Sequence, residues 1–261
     1  MPPAVTATSV DSDAPEAYEA AHVHEVYDHI ASHFSATRYK PWPIIAAFLS
    51  SLRDGWVGLD SGTGNGKYLP LPADRPGSLW TIGLDRSRNL LEIARTAGGT
   101  KTAREVVLGD VLNCCWRPGI FDYAISIATI HHLATAERRK LAIKRLLSAV
   151  SANHGRVLIY VWAVQQDDQS KRSIPTHLGS EGTGQDVFVP WVLSADKTQV
   201  FHRYYHMFAE GELQELVVCA AEELGLLVGP AHGGASLAGI EIMQQGWEKS
   251  NHYVELRRWQ T

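Results

Sequence analysis

A glycine-rich segment that directly follows a short apolar run constrains the fold more than any other part of this chain. Residues 56–67 are Trp-Val-Gly-Leu-Asp-Ser-Gly-Thr-Gly-Asn-Gly-Lys, so Gly62, Gly64 and Gly66 alternate just past a predicted strand. Glycines in such a turn let backbone N–H groups approach a nucleotide-like ligand closely. The segment therefore predicts a ligand site at the carboxyl end of the first strand of an α/β domain.

Short apolar runs alternate with helical patterns on both sides of this turn. They predict strands at 56–59, 79–84, 105–108, 121–127 and 155–162, and Ser87 and Thr135 are placed to cap two of the helices between them. Strands separated by helices form right-handed crossovers and a mainly parallel sheet. Further along the chain, the pattern predicts a strand at 200–208, a helix at 210–224, and a closing antiparallel hairpin at 237–244 and 253–259.

The length of 261 residues suits one such domain, which we place at residues 22–261. Residues 1–21 are predicted to be a disordered tail, because the first 20 residues contain no Lys or Arg and no apolar run typical of a signal peptide. A polar, glycine-rich stretch at about 165–199 is predicted to be an inserted loop or lid. Its apolar residues 186–191 are expected to dock onto the domain.

Composition narrows the class of protein further. The three cysteines form no C-x-x-C motif and no disulfide framework, which favours a reducing compartment such as the cytoplasm or the nucleus. No apolar run approaches the roughly 18 residues that a membrane span needs. The histidine pairs at i,i+4 spacing lack a nearby Cys or a metalloprotease Glu, so no metal site is predicted. The net charge of −4 argues against bulk electrostatic coating of nucleic acid but leaves room for a local basic patch.

Three ligand classes compete for the glycine turn. A P-loop would need Gly at Ser61 and Ser or Thr at Tyr68, so that interpretation fails twice. A dinucleotide loop would need Gly where Lys67 stands, which weakens that interpretation without removing it. The third class is an adenosine cofactor without a pyrophosphate.

Two acidic residues favour this third class. Asp85 ends the second predicted strand, where it can accept hydrogen bonds from ribose hydroxyls, and Asp110 follows the third, where it can accept from an adenine amino group. Both could instead be simple helix caps. Together with the glycine turn they predict S-adenosylmethionine (SAM). The predicted cofactor-binding residues are Asp60, Gly62, Gly64, Asn65, Gly66, Lys67, Asp85, Arg86, Asp110, Val111, Ile127 and His132.

At this point the chain resembles the class I SAM-dependent methyltransferases. That resemblance implies a Rossmann-like α/β fold with a seven-stranded, mostly parallel sheet, an antiparallel last strand and helices on both faces. More specific segments are similar to one family, the tRNA wobble-uridine (5-carboxymethyluridine) methyltransferases. They are His-Glu-Val-Tyr-Asp at 24–28, Arg-Tyr-Lys-Pro-Trp-Pro at 38–43, His-His at 131–132, Leu-Ile-Tyr-Val-Trp-Ala at 158–163, Gln-Asp-Val-Phe-Val-Pro-Trp at 185–191 and Arg-Tyr-Tyr-His at 203–206.

The family resemblance implies methyl esterification of a 5-carboxymethyl group, with or without a 2-thio group, on the wobble uridine of a tRNA anticodon loop. It also implies a small zinc-binding activator protein as partner. Because the third strand is outermost in this fold, we expect the activator to dock at the edge formed by residues 105–108. The alternatives are a SAM-dependent methyltransferase for a small carboxylic acid or another RNA, and a non-catalytic scaffold.

A carboxylate acceptor simplifies the chemistry, because it is already ionised at neutral pH and needs no general base. Arg38 is the first candidate to hold that anion, although the same side chain could hold the carboxylate of SAM. Tyr39, His131 and Trp162 are the other predicted catalytic or wall residues, and one histidine of the 131–132 pair could simply pack.

Local charge suggests where RNA could bind. Basic residues crowd the helix after His131 and His132, which predicts phosphate contact there or, alternatively, a solvated helix face: Arg138, Arg139, Lys140, Lys144 and Arg145, with additions from Lys171, Arg172 and Arg203.

Overall fold

The structure is a computed structural model that describes residues 4–37, 41–99, 104–168, 170, 183–193, 199–231 and 236–261. The N-terminal part contains strand β1 (Thr6–Ala7) and helix α1 (Pro15–Glu19), followed by a π-helical turn (Ala20–His24) that runs into helix α2 (Glu25–Thr37). Helix α3 (Pro43–Ser51) then begins at a proline, whose fixed φ suits the first turn of a helix.

The remaining elements alternate as the sequence predicts. In chain order they are β2 (Val57–Ser61), β3 (Trp80–Asp85), α4 (Arg88–Ala94), β4 (Arg104–Leu108), β5 (Tyr123–Ile127), α5 (Ala136–Ala149), β6 (Arg156–Trp162), β7 (Gln185–Val192), β8 (Val200–Met207), α6 (Glu212–Glu223), β9 (Leu227–Val228), β10 (Ala238–Glu248) and β11 (Asn251–Gln260). Both predicted caps are confirmed. The Ser87 side chain accepts from the Leu90 N–H, and the Thr135 side chain accepts from the Arg138 N–H.

In the described part of the chain, eight strands form the main sheet, in the order β4-β3-β2-β5-β6-β11-β10-β9. The five strands from β4 to β6 are parallel, and β11 runs antiparallel to both β6 and β10. This is the predicted Rossmann-like class I architecture. It departs from seven strands only through β9, a two-residue strand that pairs with β10.

Helices cover both faces of this sheet because side chains alternate along its strands. Tyr123 and Ile125 of β5 pack with Phe48 and Leu49 of α3 on one face. Ala124 packs on the other face, in the cluster that α5 and α6 build. All five residues of β5 are buried, as expected for a central parallel strand covered on both sides.

A second, three-stranded sheet in the order β1-β7-β8 corrects two predictions. Residues 185–192 lie within the stretch predicted to be a loop, yet they form β7, which pairs along its whole length with β8. Val187, Val189 and Trp191 are buried while their neighbours are not, so the apolar period is that of a strand with one covered face. Most of the remaining stretch at 165–199 lies outside the described residues.

The N-terminal segment also differs from the predicted disordered tail. β1 pairs with β7, with Thr6 opposite Phe188. Glu19 is only 1% exposed, and its carboxylate accepts from the Ala134 N–H at 2.8 Å and from two nitrogens of Arg138 at 2.7 Å. Glu19 thus ties the N-terminal segment to Arg138, which lies far away in the sequence. The composition of residues 1–21 does not reveal this contact. None of the described helices is long and apolar enough to cross a membrane.

Candidate functional site

The glycine turn closes over the neighbouring strand by backbone hydrogen bonds. The N–H groups of Gly62 and Thr63 donate to the Leu84 carbonyl at 2.8 and 3.0 Å. Gly64 has φ +57°, and a Cβ built on it would meet nothing within 4 Å, because this glycine lines an open cavity. At Gly62, by contrast, a Cβ would lie 2.2 Å from Thr129, so only glycine fits. The turn therefore presents bare backbone to the cavity.

Two carboxylates stand at the carboxyl ends of β3 and β4, beside this turn. Asp85 accepts the Gly64 N–H at 2.8 Å and the Ser87 N–H at 2.9 Å, one on each oxygen, and each oxygen can still accept a further donor. Burial raises the pKa of Asp85, and the hydrogen bonds oppose that shift. Asp110 accepts from Arg86 and from the Leu112 N–H, both at 2.9 Å. Both carboxylates line the cavity, as acceptors for ribose and adenine donors require.

Asp60 lies beneath the turn and is completely buried. Thr63 donates to one of its oxygens at 2.7 Å, while the other oxygen has no hydrogen-bond partner among the described residues. Burial raises the pKa of Asp60 to about 7, although the Thr63 hydrogen bond and the charge of Lys67 act in the opposite direction. An uncompensated carboxylate below a glycine turn fits a ligand that carries positive charge, as SAM does.

One cavity collects most of the residues predicted for the site. The cavity-lining members of that set are Gly62, Gly64, Asn65, Lys67, Asp85, Arg86, Asp110, Val111, Ile127, His131, His132 and Trp162. Asp60 and Gly66 do not line it. A Cβ on Gly66 would lie 2.9 Å from the Ala94 backbone, so this glycine serves the packing of the turn against α4. Arg38 and Tyr39 lie outside the described residues.

His132 sits in a hydrogen-bond chain that fixes its tautomer. Its Nδ1 lies 2.8 Å from the Tyr204 carbonyl oxygen, which can only accept, so Nδ1 carries the proton. Nε2 therefore accepts from the Tyr27 hydroxyl at 3.1 Å, and Tyr27 in turn accepts from the Tyr205 hydroxyl at 2.9 Å. Burial lowers the pKa of His132 to about 3, and the nearby charge of Arg203 acts in the same direction. The ring is thus neutral at physiological pH.

Aromatic rings form a wall of the cavity beside His132. Trp162 stacks on Tyr205 with centroids 4.1 Å apart and an interplanar angle of 8°. His131 is completely buried, its Nδ1 accepts from the Trp162 backbone N–H at 3.1 Å, and its ring lies 4.9 Å from that of Tyr205. Both histidines of the 131–132 pair line the cavity. The wall therefore presents an aromatic surface to any group that enters.

Two cavity-lining residues, Tyr27 and Tyr205, were not among the predicted site residues, and Arg203 was predicted to lie elsewhere. Arg203 is predicted to contact RNA phosphates, but it is 2% exposed and lines the cavity, so it cannot reach a phosphate backbone outside. Arg203 and Tyr205 are two residues apart on β8 and therefore project from the same face of that strand. That spacing was the available signal. Tyr27 lies in the segment 24–28 that resembles the methyltransferase family, but no local spacing placed it beside Arg203 and Tyr205.

The basic residues of α5 do not form the free face that the sequence predicts. Lys140 and Lys144 both pair with Glu223, at 2.6 and 3.0 Å. Arg138 pairs with Glu19 and Glu16, and Arg139 is buried and donates to the Leu133 carbonyl at 2.9 Å. These charges already form ion pairs or hydrogen bonds within the molecule, which argues against α5 as the main phosphate-binding surface.

Comparison with known proteins places this site in context. A family profile described as "Methyltransferase domain" matches residues 59–152. The chain is 36% identical to the tRNA (carboxymethyluridine(34)-5-O)-methyltransferase of Schizosaccharomyces pombe, over 91% of this chain and 96% of that protein. It is 45% identical to the Saccharomyces cerevisiae protein of the same name, over 69% of this chain and 60% of that protein.

Solved structures of similar fold are far more distant in sequence. The 1,6-didemethyltoxoflavin-N1-methyltransferase of Burkholderia thailandensis, solved with bound 1,6-didemethyltoxoflavin and S-adenosylhomocysteine, superposes with a TM-score of 0.62 at 17% identity, covering 98% of this chain and 95% of that one. A putative methyltransferase solved in complex with the Haloferax volcanii Trm112 methyltransferase activator superposes with a TM-score of 0.59 at 13% identity, covering 90% and 96%. At these identities the likeness concerns the fold.

Proposed function

Because this chain belongs to the family of tRNA (carboxymethyluridine(34)-5-O)-methyltransferases, we propose that it esterifies the carboxylate of 5-carboxymethyluridine, or of its 2-thio form, at the tRNA wobble position. It is a SAM-dependent methyltransferase of the class I fold. The observation that carries the proposal is the single cavity. It joins the glycine turn and Asp85, at the end suited to an adenosine cofactor, to the aromatic wall of His131, Trp162 and Tyr205.

SAM supplies a methyl group activated by its sulfonium. We assign the backbone of Gly62 and Gly64 to close contact with the cofactor, Asp85 to its ribose hydroxyls and Asp110 to its adenine. Asp60 contributes negative charge from below the turn without touching the cavity. These roles follow from the acceptor capacity that each carboxylate retains.

The acceptor needs little chemical activation. A carboxylic acid with a pKa near 4 is ionised at pH 7, so no side chain has to remove a proton. We infer that the neutral His132 and the aromatic wall keep water away from the nucleophile while it is held in line. Positioning of this kind is worth roughly 7–11 kcal/mol of the barrier. Alignment and exclusion of water are therefore the tasks we assign to this end of the cavity.

A labelling experiment tests the reaction. Tritium from methyl-labelled SAM should enter tRNA that contains 5-carboxymethyluridine and should leave it as methanol on mild alkaline hydrolysis, as an ester does. Label found only in small acids, or in alkali-stable base methyl groups, would show a different methyltransferase activity. Absence of SAM binding in a calorimetric titration would instead indicate a scaffold.

We further propose that a small zinc-binding activator adds a strand to β4. This strand pairs only with β3 in the described sheet and lies at its edge, and Leu108 at its end is 61% exposed. Unpaired apolar edge strands recruit partner strands. A structure of similar fold was solved together with a methyltransferase activator, which supports this choice of partner.

An edge variant and a matched control test this docking site. Leu108→Glu should weaken co-purification of the activator and reduce methylation, because it places a charge in the new interface. Leu227→Glu alters a comparably exposed apolar residue, 46% exposed, on β9 at the opposite edge of the sheet, and should have little effect. If the chain alone proves monodisperse, stable and fully active, the partner proposal is wrong.

A further inference from the structure

Arg203 carries a buried charge that the fold itself does not neutralise. It lies on β8, is 2% exposed and lines the cavity. Its terminal nitrogen donates to the Tyr27 hydroxyl at 3.4 Å, while its Nε has no hydrogen-bond partner among the described residues. Within that described part of the chain, no carboxylate forms an ion pair with it. A buried cation without a counter-charge is costly, so this arrangement calls for an anionic ligand.

Aromatic rings surround the guanidinium group of Arg203 but do not accept its hydrogen bonds. The group lies 4.6 Å from the Trp191 ring centroid and 5.3 Å from that of Tyr205, so aromatic faces support it. These rings accept no fork-like pair of hydrogen bonds. A planar guanidinium with free donors matches a carboxylate in geometry as well as in charge.

We propose that Arg203 is a specificity-determining residue that binds the carboxylate of the acceptor base and so selects an acid over neutral analogues. The inference rests on the proposed function, since it names the group that recognises that substrate. Tyr205, on the same face of β8, stacks with Trp162 and continues the aromatic wall beside the guanidinium. A pyrimidine against this wall would bring a carboxylate on its C5 arm to Arg203.

The alternative anion is the carboxylate of SAM. The cofactor-side groups Gly64, Asp85 and Asp110 stand at the ends of β2, β3 and β4, whereas Arg203 lies against Tyr205 of the aromatic wall and donates to Tyr27. This placement favours the acceptor. The test must still separate the two ligands, and it can do so because their binding is measured independently.

The experiment compares two anticodon stem-loop RNAs, one with 5-carboxymethyluridine and one with the neutral 5-carbamoylmethyluridine, in the presence of S-adenosylhomocysteine. The protein should bind the acid at least about thirtyfold more tightly than the amide, because the amide leaves a buried cation unpaired. Arg203→Gln should bind both RNAs equally, and Arg203→Lys should keep only part of the preference. SAM affinity, measured by calorimetry, should stay unchanged in both variants.

A matched control is Arg139→Gln. Arg139 is also a buried arginine, but it lies on α5 and does not line the cavity. It should lower stability yet keep the preference for the acid. The inference is overturned if Arg203→Gln keeps that preference, or if SAM affinity falls as much as affinity for the acid. Should Arg203→Gln fail to fold, as seen from lost SAM binding and thermal melting, the preference of Arg203→Lys decides. Failure of the proposed function would look different, since the unaltered protein would then neither prefer nor methylate the acid.

Discussion

Burial, rather than ion pairing, sets the charge states of Asp60 beneath the cavity and of His132 in its lining. The pKa of Asp60 rises to about 7, and that of His132 falls to about 3, so one group is poised at neutral pH and the other stays uncharged. Asp60 can therefore respond to a cation above it. His132 accepts a hydrogen bond from Tyr27 without adding positive charge to the cavity that would hold the sulfonium of SAM.

A pH dependence of cofactor binding follows from Asp60. Since the ionised carboxylate favours a positive ligand, SAM affinity should rise with pH up to about 7 and then level off, losing up to about tenfold per pH unit below it. Asp60→Asn should remove this dependence and weaken binding at pH 8. Calorimetric titration between pH 5.5 and 8.5 measures both effects, and an unchanged slope in the variant would assign the dependence to another group.

The same group predicts an opposite effect on the protein without cofactor. Because the folded pKa of Asp60 lies above its unfolded value of 3.8, the folded state binds the proton more tightly and loses stability as pH rises from 3.8 to about 7. The penalty above pH 7 is at most about 4 kcal/mol. Asp60→Asn should therefore raise the free energy of unfolding at pH 8 while having little effect at pH 4, as urea denaturation would show.

At the scale of elements, the N-terminal segment is anchored by a buried ion pair. Arg138 on α5 binds two carboxylates, Glu19 with 1% side-chain exposure and Glu16 with 81%. Removing a buried partner leaves the other charge stranded, whereas an exposed pair contributes little.

This contrast gives a matched pair of variants. Glu19→Ala should lower the free energy of unfolding by about 3 kcal/mol, because it leaves Arg138 with only the exposed Glu16 and also removes the acceptor of the Ala134 N–H. Glu16→Ala should cost less than about 0.5 kcal/mol. Equal losses in urea denaturation would show that burial does not govern the strength of this anchor.

The strands of the main sheet were predictable because their signals are local. Apolar runs, the glycine turn and the caps at Ser87 and Thr135 each lie within a few residues, and the observed bounds of β2 to β6 differ from prediction by at most two residues. Of the aromatic wall, His131 and Trp162 were predicted from the sequence, whereas the contacts of Tyr27 and Tyr205 were not. Tyr27 meets His132 across 105 residues and Tyr205 across 178, and no local period encodes such contacts. For the same reason, neither the pairing of β1 nor the burial of Glu19 could be predicted from local patterns.

For the whole molecule, the net negative charge disfavours binding of a polyanion such as RNA. The basic residues of α5 do not compensate for it. The chain carries −4, and the basic residues of α5 are paired with glutamates or with backbone carbonyls. A weakly acidic protein must therefore bind a polyanion through few phosphate contacts, unless a partner supplies more.

Affinity for tRNA should accordingly be poor in the chain alone. We expect a Kd weaker than about 1 µM near physiological salt, weakening further between about 50 and 200 mM, and a tighter Kd if the proposed activator is present. Fluorescence anisotropy with labelled tRNA measures both. Tight, salt-resistant binding by the isolated chain would mean that a strong phosphate-binding surface exists elsewhere.

The position of β11 bears on how the protein is made. Residues 251–260 form an interior strand, hydrogen-bonded to β6 on one side and to β10 on the other. Until the ribosome has released this segment, both of those neighbours have an open edge, and the nascent sheet cannot close. We expect the emerging chain to become resistant to protease in one step after residues 251–260 have left the ribosome, rather than gradually.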